Sequence, residues 1–258
     1  MVLNSTNTNI LVLENVSKRF GGIKAVDDIS IGFQTNKITG LIGPNGAGKT
    51  TLFNLINGLI KTDSGKIYFK DSRIDHLKAF QRTLLGIGRL FQDVRVFNKL
   101  SCLDNILISF NNLIGEKIYE TILRRKELIS SEKEKILKAE ELLEFVGLID
   151  KRDVFAENLS FGQQKLLAIA RLLAMNSEVF LLDEPTAGVH PQLINKILEL
   201  IKSLPAKGKT IIFIEHNINV VLEISDWLYL LDDGKVVAFG LPYEVLEDKI
   251  TREVYLGV

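Results

Sequence analysis

The most constraining feature of the sequence is the segment GPNGAGKT, residues 43–50. It fits the pattern G-x-x-x-x-G-K-[ST], follows the apolar run ITGLI and precedes the amphipathic run TLFNLINGL. Glycine allows the tight backbone curvature that a turn between a strand and a helix requires. The segment therefore predicts a strand, a glycine-rich loop and a helix in succession, as in α/β folds.

Two interpretations of this loop compete: a turn that only reverses the chain, and a loop that binds phosphate. A chance match to the four fixed positions is expected in roughly one chain of this length in a hundred, which favours phosphate. The backbone N–H groups and the positive end of the following helix would then face one anion. We expect Lys49 to reach the β and γ phosphates of a nucleoside triphosphate, Thr50 to bind Mg²⁺ and Thr51 to reach the α phosphate. The predicted phosphate-binding residues are Gly43, Pro44, Asn45, Gly46, Ala47, Gly48, Lys49, Thr50 and Thr51.

Composition argues against several other classes of protein. Of the 258 residues, 46% are hydrophobic and 25% are charged, with a formal net charge of zero, so we expect neither disorder nor a nucleic-acid partner. Cys102 is the single cysteine and fits a packed thiol in a reducing compartment. The segment MVLNSTNTNI does not resemble a signal peptide, and no apolar stretch reaches the ~18 residues that span a bilayer. We expect a globular chain that reaches a membrane only through partners on the cytosolic side.

Two kinds of strand pattern occur along the chain. Residues 9–33 and the segment SGKIYFKD alternate apolar and polar side chains, which predicts half-buried strands in a small antiparallel sheet. Residues 38–42, 179–183 and 210–215 form nearly continuous apolar runs, as in strands buried on both faces. A parallel sheet with helices on each side is the fold that these runs favour.

The remaining patterns are helical or hairpin-like. Residues 102–147 read as helix, and we assign most of the charged run within them to a solvated helix face. Residues 227–240 read as a hairpin around Asp233 and Gly234. A helix is also predicted over 163–175.

A second chemical site follows the buried strand VFLLD, which delivers Asp183 and Glu184 to its carboxyl end. Ligands of open α/β sheets bind at those ends, so Asp183 is expected to hold the hydration shell of Mg²⁺. Glu184 would orient and deprotonate an attacking water. The alternative, an acidic pair that caps the next helix, is less favoured beside a phosphate loop.

The segment LSFGQQ, residues 159–164, resembles the signature sequence of ABC ATPases, which usually reads Leu-Ser-Gly-Gly-Gln. Five further features occur in the order typical of that family, over nearly the whole chain. They are Phe20, the loop 43–50, Gln92 in RLFQD, the acidic pair in VFLLDE and His216 in TIIFIEH. Six motifs in one order make the resemblance specific.

The resemblance implies an α/β fold with a P-loop NTPase core built on a mainly parallel sheet. It also implies a flanking antiparallel β subdomain and an inserted helical subdomain that carries the signature. Residues 9–258 would form a single ABC-type ATP-binding domain, with a core of residues 9–91 and 165–258 and a helical subdomain at about 92–164.

The resemblance also implies roles for individual residues, with ATP and Mg²⁺ as the bound species. Phe20 would stack on adenine, Gln92 would contact metal and water, and His216 would hold the γ phosphate. The γ phosphate of an opposing subunit would meet the signature, so that two head-to-tail copies bury two ATP molecules. The signature residues concerned are Ser160, Gly162 and Gln163. The implied catalytic set is Lys49, Gln92, Glu184 and His216, and the implied metal ligands are Thr50, Gln92 and Asp183.

Two residues depart from the family pattern. Phe161 replaces the first signature glycine and could crowd the phosphate unless its side chain points away. His190 stands where most relatives have aspartate, in the loop that crosses the dimer interface. Neither change removes a metal ligand or the base, so hydrolysis is still expected.

Several longer segments look like the ATP-binding subunits of branched-chain amino acid uptake systems. They include RLFQDVRVFNKLSCLDNILIS, the Phe-bearing signature and the closing REVYLGV. The implied partners are a second ATPase subunit, identical or paralogous, and integral membrane permease subunits, with docking around residues 92–105. The chain would be peripheral, on the cytoplasmic face of the cell membrane.

Other members of the family remain alternatives at this point. Related subunits serve urea, other amides or lipid export, and a soluble scaffold for iron–sulfur assembly is also a single domain. ABC ATPases of DNA repair or translation usually carry a coiled-coil insertion or two halves in tandem, unlike this chain. A module without hydrolysis would be expected to lose Lys49 or Glu184, and both are present.

Overall fold

The computed structural model describes residues 9–110, 125–248, 251 and 253. Its strands form an antiparallel sheet in the order β2-β1-β4-β5 and a second sheet in the order β10-β9-β3-β8-β7-β6. The second sheet is parallel from β9 to β6, and only β10 runs antiparallel to its neighbour. The strands are β1 (Asn9–Phe20), β2 (Ile23–Gln34), β3 (Ile38–Ile42), β4 (Ser64–Phe69), β5 (Ser72–Arg73), β6 (Ile87–Leu90), β7 (Val179–Asp183), β8 (Thr210–Ile214), β9 (Trp227–Asp232) and β10 (Lys235–Gly240).

The parallel sheet is covered on both faces, as the apolar runs predict. Successive side chains of a strand point to opposite faces. Val179 and Leu181 of β7 accordingly join the core that lies between the two sheets, whereas Phe180 and Leu182 join the core on the other side. The predicted α/β fold with a mainly parallel sheet and a small antiparallel sheet is confirmed.

Helices fill both layers around the parallel sheet. Helix α1 packs between the two sheets through residues such as Phe53, and α3, α4 and α5 pack on one another in the opposite core. The helices are α1 (Lys49–Asn57), α2 (Ala79–Leu85), α3 (Cys102–Leu107), α4 (Arg125–Phe145), α5 (Phe161–Ala174), α6 (Pro191–Ser203), α7 (Ile218–Ile224) and α8 (Pro242–Glu247). Within the residues described, no helix combines the length and the apolar character needed to cross a bilayer.

Several predicted boundaries differ from the structure. Helix α5 begins at Phe161 rather than at 163, because Ser160 caps it: the Ser160 hydroxyl accepts from the Gln163 N–H, and the Gln163 amide oxygen accepts from the Ser160 N–H. Strand β8 ends at Ile214, one residue before the predicted end. The helical stretch predicted over 102–147 appears as α3 and α4, and residues 111–124 lie outside the described part of the chain.

Cys102 is buried at the start of α3. Burial raises the pKa of its thiol to about 11, because the charged thiolate is poorly solvated there. The thiol is therefore protonated near neutral pH, in agreement with the packed, inert cysteine expected from the sequence.

Candidate active site

Four adjacent parallel strands end at one edge of the sheet, and each is followed by residues of the predicted site. In spatial order the strands are β3, β8, β7 and β6. The loop 43–50 follows β3, and His216, Glu184 and Gln92 follow the other three strands in turn. The topology therefore gathers groups that are far apart in the sequence, at the edge where ligands of such sheets bind.

The loop 43–50 requires glycine at two positions where the backbone approaches its neighbours closely. Gly43 has φ 149° and Gly48 has φ 97°, values that L-residues rarely adopt. A Cβ atom at Gly43 would lie 2.1 Å from the carbonyl oxygen of Leu231, and one at Gly48 would lie 2.2 Å from that of Ala25. The loop can curl in this way only with glycine at both positions.

Lys49 is buried at the first position of α1 and turns back into the loop. Its Nζ donates to the carbonyl oxygens of Gly43 at 2.7 Å and Pro44 at 2.9 Å. Burial lowers the pKa of Lys49, while the nearby carboxylates of Glu184 and Asp183 act in the opposite direction. The loop thus holds a cation beside the N-terminus of a helix, an arrangement that suits phosphate.

Asp183 is buried at the end of β7 and is paired with Arg89 of β6, a residue that the sequence analysis missed. Arg89 Nη2 lies 2.7 Å from Asp183 Oδ2, and Arg89 Nη1 donates to Asn54 Oδ1 of α1 at 2.6 Å. One guanidinium therefore connects β6, β7 and the helix that follows the phosphate loop. A basic residue within an otherwise apolar strand was the only signal in the sequence.

Glu184 is the point where three predicted site residues meet. Gln92 Nε2 donates to Glu184 Oε2 at 3.1 Å, and His216 Nε2 lies 3.2 Å from Glu184 Oε1. Glu184 also has φ 48°, which is unusual for a residue with a side chain. Its carboxylate is therefore held from both sides by groups at the ends of neighbouring strands.

Two buried charged residues outside the predicted set contact the loop that follows Glu184. Lys165 Nζ of α5 donates to the carbonyl oxygens of Glu184 at 2.6 Å and Ala187 at 2.8 Å. Burial lowers the pKa of Lys165 to about 8, against the raising effect of nearby carboxylates. Glu215 Oε1 accepts from the N–H of Thr186 at 3.0 Å and from its hydroxyl at 2.5 Å.

The signature segment begins helix α5, with Ser160 as the residue that caps its N-terminus. The side-chain hydrogen bonds recorded for Ser160 and Gln163 in the described residues close the capping box, so they remain within the signature. The ring of Phe161 packs against Gly188, where a Cβ atom would lie 3.2 Å from Cε1, and lies 5.1 Å from Lys165 Nζ. The side chain of Phe161 therefore turns toward the loop after β7.

The second departure, His190, serves as the N-cap of α6. Its Nδ1 accepts from the N–H of Gln192 at 3.4 Å, and Pro191 occupies the first helical position. Phe20 ends β1 with 50% of its surface exposed, and Lys18 Nζ lies 5.6 Å from its ring centroid. An exposed ring of this kind offers a face for stacking, unlike the core position that a lone phenylalanine usually takes.

Comparison with known proteins identifies the family. The family model described as ABC transporter matches residues 26–187, which is more than half of the chain. The chain belongs to the ABC transporter family. It is 37% identical over 248 residues to the probable branched-chain amino acid transport ATP-binding protein LivG of Archaeoglobus fulgidus, covering 96% of this chain and 95% of the relative. It is 35% identical to the lipopolysaccharide export ATP-binding protein LptB of Haemophilus influenzae, covering 96% and 98%.

Solved structures agree with this family. A nucleotide-free ATP-binding cassette from an ABC transporter is 37% identical, with a TM-score of 0.83 over 97% of this chain and 100% of that one. A dimeric ATP-binding cassette in a post-hydrolysis state bound to ADP and Pi is 26% identical, with a TM-score of 0.73 over 90% of this chain and 98% of that one. The ABC ATPase family inferred from the sequence is confirmed, and the chain is an ATP-hydrolysing member of it.

Proposed function

We propose that this chain powers the import of branched-chain amino acids, by hydrolysing ATP beneath a membrane permease. The observation that carries the catalytic part is the carboxylate of Glu184, which lies 3.1 Å from Gln92 and 3.2 Å from His216 at the edge that also bears Lys49. The likeness to LivG supports branched-chain amino acids as the transported solute. The nearly equal likeness to LptB makes lipid export the alternative.

The chemistry assigned to the site is transfer of the γ phosphoryl group to water. Glu184 accepts a proton from water as the water oxygen bonds to the γ phosphorus. The bond between the γ phosphorus and the oxygen that bridges to the β phosphate breaks, which releases ADP and phosphate. Lys49 and His216 hold oxygens of the γ phosphate, where charge must be stabilised. Gln92 donates to Glu184 and so fixes the direction of that carboxylate.

The oxygen atoms of the expected metal ligands Thr50, Gln92 and Asp183 fit a hard cation such as Mg²⁺, which prefers oxygen ligands. Thr50 contributes an exposed hydroxyl at the first turn of α1, and Asp183 contributes a buried carboxylate. The amide nitrogen of Gln92 donates to Glu184, so its amide oxygen is the atom suited to a cation. When bound, the ion would neutralise charge on the β and γ phosphates.

We assign the signature residues to the ATP of a second copy, which is identical or paralogous. Ser160, Gly162 and Gln163 lie at the N-terminus of the 14-residue helix α5, and N–H groups at such an end suit an anion. The dimeric relative bound to ADP and Pi supports an assembly of this kind. The division into a core and a helical subdomain at about 92–164 stays a prediction.

A groove beside Gln92 is suited to the membrane partner. The groove has a volume of about 300 Å³ and is formed by α2, β6 and α5. Its lining combines apolar and basic groups, including Phe80, Phe91, Arg95, Arg171 and Met175. Phe80 is 61% exposed and therefore offers apolar surface to a partner at this groove. We propose that a cytosolic helix of a permease binds here, against the segment 92–105.

The decisive experiment for the cargo is isolation of the native complex from membranes, followed by identification of its other subunits and bound solute. Polytopic permease subunits that retain leucine, isoleucine or valine support the proposal. Lipid in the complex would instead favour an exporter. Absence of any membrane protein from the complex contradicts the transport function.

Charge reversal in the docking segment should separate hydrolysis from transport. Asp93→Lys and Arg95→Glu change exposed charges beside the groove without removing a group that we place at ATP. We expect basal ATPase activity to persist while solute uptake in proteoliposomes falls about tenfold or more. Lys66→Glu, an exposed charge reversal on the antiparallel sheet, is the control and should leave both activities unchanged. Full coupling in both groove variants would place the docking surface elsewhere.

A further inference from the structure

The peptide of Glu184 is in a conformation that needs support from its surroundings. A residue other than glycine in the left-handed region is strained and persists only where its surroundings hold it. Glu184, at φ 48°, is the first residue after β7, and its N–H donates to the carbonyl oxygen of Ile214 at 3.0 Å. The direction of its carboxylate depends on this peptide, so whatever fixes the peptide also fixes the carboxylate.

Lys165 supports this peptide from the side of α5. The side chain is fully buried, and its ammonium donates to the carbonyl oxygens of Glu184 at 2.6 Å and Ala187 at 2.8 Å. Hydrogen bonds to a charged group are stronger than neutral ones. One ammonium therefore joins both ends of the loop 184–187 and sets the turn between them.

Glu215 supports the same loop from the side of β8. One carboxylate oxygen accepts from both the N–H and the hydroxyl of Thr186, and the other accepts from the N–H of His216 at 3.2 Å. Glu215 is 4% exposed, so water competes little for these bonds. The carboxylate thus ties the loop to His216, whose imidazole lies 3.2 Å from the carboxylate of Glu184.

We propose that Lys165 and Glu215 are positioning residues for ATP hydrolysis, which clamp the loop 184–187 so that Glu184 keeps its orientation toward Gln92 and His216. The contacts form a path through Lys165, Glu184, His216, Glu215 and Thr186. The path closes at Ala187, the residue after Thr186, whose carbonyl oxygen accepts from Lys165. This inference rests on the proposed role of Glu184 as the base. Neither residue contacts the phosphate loop in the recorded hydrogen bonds of the described residues, so the clamp is expected to act on turnover and not on ATP binding.

The test compares Lys165→Met, Lys165→Arg and Glu215→Gln in the full chain, with kcat and KM for ATP and with the affinity for a fluorescent ATP analogue. Lys165→Met removes the donors but keeps an apolar stem. We expect its kcat to fall about ten- to hundredfold while KM and affinity change less than about twofold. Lys165→Arg should recover part of the rate, because a guanidinium can still donate to two carbonyls. Glu215→Gln should also lower kcat, because its amide nitrogen cannot accept from an N–H. The factor should be smaller than for Lys165→Met, because the amide oxygen can still accept.

A double variant separates positioning from a merely structural effect. If Lys165 acts through Glu184, then Lys165→Met should add little to the loss caused by Glu184→Gln. Lys196→Met is the matched control, because Lys196 also donates to a backbone carbonyl, that of Gly147, but at an exposed site. It should keep the wild-type kcat. Thermal unfolding of each variant checks that it is folded, and the arginine and glutamine variants keep the test open if Lys165→Met does not fold.

The outcomes distinguish the inference from the function on which it rests. A kcat for Lys165→Met within about twofold of wild type, or losses that simply multiply in the double variant, overturns the clamp. Changes in KM and in affinity as large as the change in kcat would also overturn the clamp. Near wild-type hydrolysis by Glu184→Gln alone would instead overturn the assignment of the base.

Discussion

At the scale of single residues, Lys49 makes the sharpest prediction, because its ammonium is held by two carbonyl oxygens of the phosphate loop, those of Gly43 and Pro44. Lys49→Ala removes the cation that we expect to meet the β and γ phosphates. Bonds between charged groups contribute about 1.5–3 kcal/mol, so ATP should bind at least about tenfold more weakly and turnover should be lost. Equilibrium binding of a fluorescent ATP analogue and phosphate release measure the two effects.

The control for this substitution is Lys61→Ala, which removes an exposed lysine beyond α1. Its affinity and turnover should match those of the wild type. Wild-type turnover in Lys49→Ala would contradict the assignment of the phosphate loop. Retained binding without turnover would limit Lys49 to the chemical step.

The sequence predicted residues whose role is encoded locally and missed those whose partners are distant. Lys49 stands in a contiguous motif, and Glu184 directly follows an apolar strand, so each was found from its neighbours in the chain. Lys165 donates to the carbonyl oxygens of Glu184 and Ala187, which lie 19 and 22 residues further along the chain. Glu215 accepts from Thr186, which lies 29 residues earlier, in the loop after β7. No periodicity or composition records such contacts, because they depend on how strands are ordered in the sheet.

At the scale of elements, Arg82 of α2 attaches that helix to the C-terminal end of α1. Arg82 is 1% exposed and donates to the carbonyl oxygens of Leu55, Ile56, Leu77 and Asp75 at 2.6–3.1 Å. Burial lowers the pKa of Arg82 to about 10, so the guanidinium still carries its charge at neutral pH. A cation at the C-terminal end of α1 also interacts favourably with the helix dipole.

Arg82→Met should therefore lower the free energy of unfolding by about 3 kcal/mol or more, because several buried carbonyls lose their donor. Urea unfolding followed by circular dichroism measures this loss. Arg73→Met is the control, since Arg73 is exposed and its ion pair with Asp75 contributes little. A loss for Arg82→Met no larger than that of the control would show that solvent replaces the guanidinium.

Elements were predictable where a pattern repeats and less so at their ends. The strands 38–42 and 179–183 match β3 and β7 residue for residue. Helix α5 was predicted to begin at 163, but the reciprocal bonds of Ser160 and Gln163 start it at Phe161. Strand β8 ends at Ile214, because Ile214 forms its last backbone pairings with Leu41 of β3 and Asp183 of β7. Ends are fixed by particular hydrogen bonds, which a periodicity does not contain.

At the scale of the whole molecule, the proposed trans arrangement predicts that Glu184→Gln accumulates as an ATP-bound dimer. The amide can still hydrogen-bond water but cannot accept its proton, and a positioned base typically contributes ~10² to 10⁴ in rate. ATP should then persist between the Lys49 of one copy and the Ser160 of the other. Size-exclusion chromatography in Mg-ATP, with measurement of retained nucleotide, detects this dimer.

The double variant Glu184→Gln with Lys49→Ala is the control and should stay monomeric, since it lacks the ATP on which the dimer depends. Hydrolysis by Glu184→Gln at the wild-type rate would exclude Glu184 as the base. A variant that binds ATP yet remains monomeric at every concentration would contradict the role given to the signature in trans.

The strand order of the parallel sheet also bears on how the chain acquires its activity during synthesis. β3, which precedes the phosphate loop, lies between β8 and β9, and Ile38 of β3 pairs with Ile211 of β8. A nascent chain that has emerged only as far as Glu184 carries Lys49, Gln92 and Glu184, but it lacks β8, the strand that separates β3 from β7, and His216, which follows β8. Pairings this distant in sequence form slowly, because a long loop must close first. Because the proposed site requires β8 and His216, we expect ATP hydrolysis only from chains in which residue 216 has left the ribosome and β8 has paired with β3 and β7.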